Sequence, residues 1–132
     1  MDYNRLHVAA KKPHAQHEAA EQQALFRWAA FARCNYPELD MLYHIPNGGS
    51  RNGKEAANLK RQGVKAGVPD LCLPVARGSY HGLYIELKYS KNKPTELQEG
   101  WLTRLRQQGY VAEVCYGWEY AAEVLKKYLE LK

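Results

Sequence analysis

Long apolar runs are missing from this 132-residue chain, and no stretch approaches the roughly 20 apolar residues that a bilayer-spanning helix needs. The opening segment, MDYNRLHVAAKKPHAQHE, lacks the apolar centre of a signal peptide. The expected location is therefore cytoplasmic, with no membrane partner. Cysteine is scarce: Cys34, Cys72 and Cys115 are odd in number, far apart and form no CxxC pair. That pattern excludes a disulfide framework and a structural zinc site, so the three read as small core residues. Repeats, low-complexity tracts and linkers are also missing. The expected organisation is one domain over 13–132 behind a flexible, polar and basic N-terminus at 1–12.

What is present suits a folded chain, 45% hydrophobic and 25% charged. The net charge of +5 and pI near 9.1 favour an anionic partner, of which nucleic acid is the commonest. The charge is concentrated. Residues 51–65 carry Arg51, Lys54, Lys60, Arg61 and Lys65 against Glu55 alone. A solvated helix face and a phosphate-binding surface both fit that run.

Helical spacing of Leu25, Trp28, Ala29 and Ala32 predicts a helix from about Pro13 to Arg33, with Pro37 ending the region. Met41 to Pro46 reads as a strand, closed by the turn Asn47-Gly48-Gly49. Residues 52–62 read as a helix stopped by Gly63. Leu71 to Leu73 and Gly82 to Tyr89 read as strands, separated by a turn at Arg77-Gly78-Ser79. Thr95-Glu96-Leu97-Gln98 matches a capping box and opens a helix that stops at Gly109. A strand from Tyr110 to Tyr116 and a helix over 118–130 complete the series. The expected fold is α/β, a mixed sheet of about four strands flanked by helices.

The strand Leu83-Tyr84-Ile85-Glu86-Leu87-Lys88 alternates. Leu83, Ile85 and Leu87 share one face, expected to meet the core; Tyr84, Glu86 and Lys88 share the other. Glu86 and Lys88 then stand about 7 Å apart along the strand. Pro69 stiffens the approach to Asp70, and a turn between the strands brings Asp70 beside Glu86. Two carboxylates about 4 Å apart, at an effective dielectric near 20, repel by roughly 4 kcal/mol. Protonation of one, or a divalent cation, relieves the repulsion. Mg²⁺ takes one or two carboxylates with substrate phosphate, and a neighbouring lysine can orient a water or stabilise a charged transition state. A plain exposed ion pair is the alternative for Glu86 and Lys88.

The combination of His44-Ile45-Pro46-Asn47-Gly48-Gly49, Gly63-Val64-Lys65-Ala66-Gly67-Val68-Pro69-Asp70, Gly82 to Lys88, and Gln98 before Trp101 resembles the PD-(D/E)xK nuclease superfamily. Within it, the pattern resembles the virus-type replication-repair nucleases (VRR-NUC), over about residues 17–130. The resemblance implies a restriction-endonuclease-like core and a Mg²⁺- or Mn²⁺-dependent deoxyribonuclease with a role in DNA repair. It implies a metal held by Asp70, Glu86 and the Leu87 carbonyl, Lys88 as the catalytic lysine, and a glutamate from the first helix. Standalone relatives look like homodimers that cut branched DNA such as Holliday junctions, which would suit a phage-infected or prophage-carrying bacterium. A catalytically silent nucleic-acid-binding module of the same fold is the alternative.

Glu18 and Glu21 compete for the helix glutamate. Glu18, Gln22, Leu25, Ala29 and Ala32 form one stripe, and the family's Glu-x-x-x-Gln spacing selects Glu18 with Gln22. His14 with Glu18, or His17 with Glu21, would suit zinc at i, i+4, but no third ligand is evident. Gln98 lies inside the capping box, and the resemblance adds a contact with the lysine or water. Asn47 and the basic residues Arg51, Lys54, Lys60, Arg61 and Lys65 are the expected nucleic-acid contacts, with His44 or Asn47 near the site. The tryptophans and ten tyrosines read as packing rather than base-stacking platforms.

Overall fold

The computed structural model describes residues 14–47 and 53–132, with side chains from His17 onward. The expected flexible stretch 1–12, Pro13, the two glycines of the Asn47 turn and Arg51 lie outside the described residues.

Helix α1 spans His14–Ala32. Its most buried line is Glu21, Leu25 and Ala29, spaced by four, while Glu18 and Gln22 are half-buried. The expected stripe through Glu18 is thus displaced by less than one turn. The cause is the packing of α1 on the last helix, where the Trp118 N–H donates to Glu21 Oε2 at 3.0 Å. Cys34, just past α1, is exposed rather than a core residue; Cys72 and Cys115 are buried as expected.

The strand expected over Met41 to Pro46 contracts to β1, Tyr43–His44. Proline at the start of Pro37–Met41 opens a 3-10 turn that absorbs Met41, and Pro46 has no N–H to extend a ladder. Leu39 and Leu42 anchor the turn in the core. Helix α2, Gly53–Arg61, buries no residue. Gly63 closes it at φ +103°, with the Gly63 N–H on the Lys60 carbonyl and the Val64 N–H on that of Leu59.

Strands β2 (Leu71–Leu73) and β3 (Leu83–Lys88) pair antiparallel, with Leu71 opposite Ile85. Helix α3 (Glu96–Gln107) crosses to β4 (Val111–Tyr116), which runs parallel to β3. Helix α4, Trp118–Leu129, follows directly. The sheet order is β1-β2-β3-β4. On one face Leu71, Leu73, Leu83, Ile85 and Leu87 meet Leu25, Ala121 and Leu125, a core sealed by α1 and α4. The opposite face of the sheet is also covered: α3 packs on β4 there, with Leu102 and Ala112 buried, and its Gln98 reaches across to Glu86 on β3. Glu86 and Lys88 are therefore only 1% and 5% exposed, and the plain exposed ion pair is ruled out.

Candidate active site

Asp70 stands at the point where the β2–β3 ladder stops. The register that pairs Leu71 with Ile85 would next set Asp70 against Glu86 and then Pro69, which has no N–H, against Leu87. Instead the Leu87 N–H donates to Asp70 Oδ2 at 2.8 Å, so the carboxylate closes the ladder. The Asp70 main chain is held from the other side: its carbonyl accepts from the Ile45 N–H at 2.7 Å and lies 2.9 Å from His44 Nδ1. The short β1 thus fixes Asp70 against β3, and His44 lies beside the site as expected.

Glu86 projects from β3 onto the same side. Its Oε2 accepts from Gln98 Nε2 at 3.2 Å and lies 3.7 Å from Lys88 Nζ. Its Oε1 is buried with no hydrogen-bond partner. Burial, then the Asp70 charge and a hydrogen bond to Asp70, push the Glu86 carboxyl from 4.5 up to about 9; Lys88 opposes the rise and Glu18 adds to it. The orphaned oxygen and that hydrogen bond describe two charge states. An ionised Glu86 has no hydrogen to offer Asp70, whereas the carboxylic acid does. A buried carboxylate beside a half-buried one is relieved by a proton or a cation between them.

Gln98 sits where α3 begins, inside a complete capping box. Its Oε1 accepts from the Thr95 N–H at 2.9 Å, and its own N–H donates to Thr95 Oγ1 at 3.2 Å. Its remaining amide hydrogens face Glu86, so the expected contact falls on the acid rather than the lysine. The segment before Asp70 leans on the same turn. A Cβ on Gly67, whose φ is +90°, would lie 2.9 Å from Leu97 Cβ and 3.0 Å from the Leu97 backbone. Glycine permits that approach.

The two helix glutamates part ways. Glu21 Oε2 caps α4, while Glu18 Oε2 accepts from Asn92 Nδ2 at 2.8 Å and its charge reaches Glu86. Nothing in the sequence flagged Asn92, one polar residue in a loop of serine, lysine and proline. His17 stacks on Tyr89 with ring centroids 4.1 Å apart. Among the described residues, no three His, Cys, Asp or Glu side chains gather into a metal-ligand cluster, so Glu18 stands outside ligand reach of the Asp70–Glu86 pair in this metal-free arrangement; the His14 side chain of the zinc alternative lies outside the described residues.

Lys54, Lys60, Arg61 and Lys65 are exposed on α2 and its following turn, and Asn47 is exposed after β1. Arg61 bonds Asn58 within its own helix. Trp101 lies under Arg104 at 5.5 Å and Trp118 packs on the core edge, as packing residues do.

The donor set suits a hard divalent cation. Asp70 and Glu86 offer adjacent carboxylates, one oxygen of which is orphaned. Within an extended strand the N–H and C=O of one residue leave on the same side. Since the Leu87 N–H meets Asp70, the Leu87 carbonyl faces that side as well.

Comparison with known proteins agrees with this geometry. A family model described as the VRR-NUC domain matches residues 14–119. A solved structure described as a VRR_NUC domain protein is 31% identical, covers 87% of this chain and 89% of its own, and superposes with a TM-score of 0.70. No curated protein matches. The four-stranded mixed sheet with its flanking helices is a restriction-endonuclease-like α/β fold, and the chain belongs to the VRR-NUC family of nuclease-type domains.

Proposed function

We propose that this chain is a Mg²⁺- or Mn²⁺-dependent, structure-selective DNA endonuclease that hydrolyses phosphodiester bonds in branched DNA such as Holliday junctions. The observation that carries the reading is the pairing of half-buried Asp70 with fully buried Glu86, whose Oε1 is left without a partner. Asp70, Glu86, the Leu87 carbonyl and Glu18 would hold the cation. When bound, that ion supplies Lewis-acid polarisation of the phosphate and acidifies a water.

The chain's own residues do the rest. Lys88, held 3.7 Å from Glu86 Oε2 and almost fully buried, places an ammonium where charge builds on the phosphate oxygens and orients the attacking water. Gln98 keeps Glu86 in one rotamer through its 3.2 Å bond. Exposed Lys54, Lys60, Arg61 and Lys65, with Asn47 and Arg51, contact the phosphate backbone. Homodimerisation, which would set two such sites on a symmetric junction, rests on the family resemblance.

The test is a panel of synthetic four-way junctions, flaps and linear duplexes incubated with Mn²⁺. Wild type is expected to cut branched substrates and Asp70→Ala to cut none. Salt-sensitive binding of junctions without cleavage would replace this reading with that of a silent binding module. Undiminished cleavage by Asp70→Ala would remove the site from the reaction, and light scattering of the same sample reads the dimer.

A further inference from the structure

The chain leaves β3 through a tight turn in which Ser90 sits at φ +57°, the one non-glycine residue with positive φ among the described residues. That conformation is disfavoured for a residue with a Cβ and persists only where surrounding contacts hold it. The Asn92 N–H closes the turn on the Tyr89 carbonyl at 3.2 Å. The His17 ring lies flat on Tyr89, 5° from parallel, and ties the turn to α1. The turn thereby delivers the Asn92 amide to Glu18 Oε2 at 2.8 Å, a bond between side chains 74 positions apart.

The chemistry of the donor matters. A lysine or arginine there would neutralise Glu18, whereas an amide orients the carboxylate and leaves its charge intact. The His17–Tyr89 stack and the Asn92–Glu18 bond set the start of α1 beside the end of β3, where Glu86, Leu87 and Lys88 lie. Carboxylates that bind metals are commonly held by such outer hydrogen bonds.

We infer that Asn92 is a positioning residue that aims Glu18 at the Asp70–Glu86 pair, so that a divalent cation there meets a third carboxylate. The inference rests on the metal-site reading above and adds to it a residue and a turn. Calorimetric titration with Mn²⁺ alone, without DNA, tests it. Asn92→Ala is expected to weaken uptake by about 10- to 100-fold. Asn92→Asp cannot donate and adds a like charge, so its loss is at least as large. In a Glu18→Ala background, Asn92→Ala adds nothing further. Unfolding midpoints in EDTA are read on the same proteins to separate bracing of the turn from orientation of Glu18.

Weakened Mn²⁺ uptake in Glu18→Ala with wild-type uptake in both Asn92 variants would overturn the role of Asn92 and leave the metal site standing. An equal loss from Asn92→Ala in both backgrounds would reduce Asn92 to a brace of the turn and overturn it too. Unchanged uptake in Glu18→Ala does the same. No uptake by wild type would sink the metal site and this inference together.

Discussion

Replacing Glu86 by glutamine imposes permanently the neutral state that burial and Asp70 already favour. The folded chain holds a proton on Glu86 up to about pH 9, whereas the unfolded chain releases it near 4.5. The folded value is the higher, so this contribution is full below the unfolded value and is lost as pH rises towards the folded one. Across that window each pH unit costs wild type at most about 1.4 kcal/mol. By pH 7 the handicap is roughly 3 kcal/mol as an upper bound, reached only if the site neither relaxes nor admits water. Glutamine keeps the shape, can still accept from Gln98, and can donate to Asp70 as the carboxylic acid does. Glu86→Gln is therefore expected to be more stable than wild type in EDTA, by a margin that grows from about pH 5 to pH 8 and levels off near 9. Urea unfolding at each pH, followed by circular dichroism, measures the margin. A pH-independent margin, or a wild type that gains stability relative to the variant as pH rises, would refute the reasoning. The variant's Mn²⁺ affinity should fall, since the stabilisation removes the charge that calls for a cation.

Two further expectations concern other parts of the molecule. Glu21→Ala removes the acceptor for the Trp118 N–H at the start of α4; loss of a cap costs about 0.5–2 kcal/mol, to be read as a lower urea midpoint with Mn²⁺ affinity unchanged. A drop in affinity as large as that of Glu18→Ala would show that the two glutamates had been assigned wrongly. Replacing Lys60, Arg61 and Lys65 together by alanine should weaken DNA binding and flatten the dependence of log K on log salt by about two to three units. An unchanged slope from fluorescence anisotropy would take α2 and its turn off the phosphate path.

Local signals were the legible ones. Thr95-Glu96-Leu97-Gln98 announced both the start of α3 and the bonds that make it, because a capping box is written in four adjacent residues. Gly63 marked the end of α2 for the same reason. The alternation of Leu83, Ile85 and Leu87 identified the core face of β3, but nothing in that strand tells that Glu86 and Lys88 on the other face will also be buried. Partners distant in sequence caused the remaining differences. Trp118 draws Glu21 inward from 97 positions away, shifting the buried line of α1 off Glu18. Asn92 has no local pattern at all, and only the turn at Ser90 gives it a partner. Met41 looked like strand because its neighbours are apolar, yet Pro37 had already committed it to a 3-10 turn.

Gln98 spends both ends of its amide: the oxygen on the backbone of Thr95 and the nitrogen on Glu86. Winding the first turn of a helix and orienting a buried acid are consequently a single event. Should that turn fray, the acid loses its guide at the same instant, so under the proposed function the site would be armed only while α3 is fully wound at its leading end.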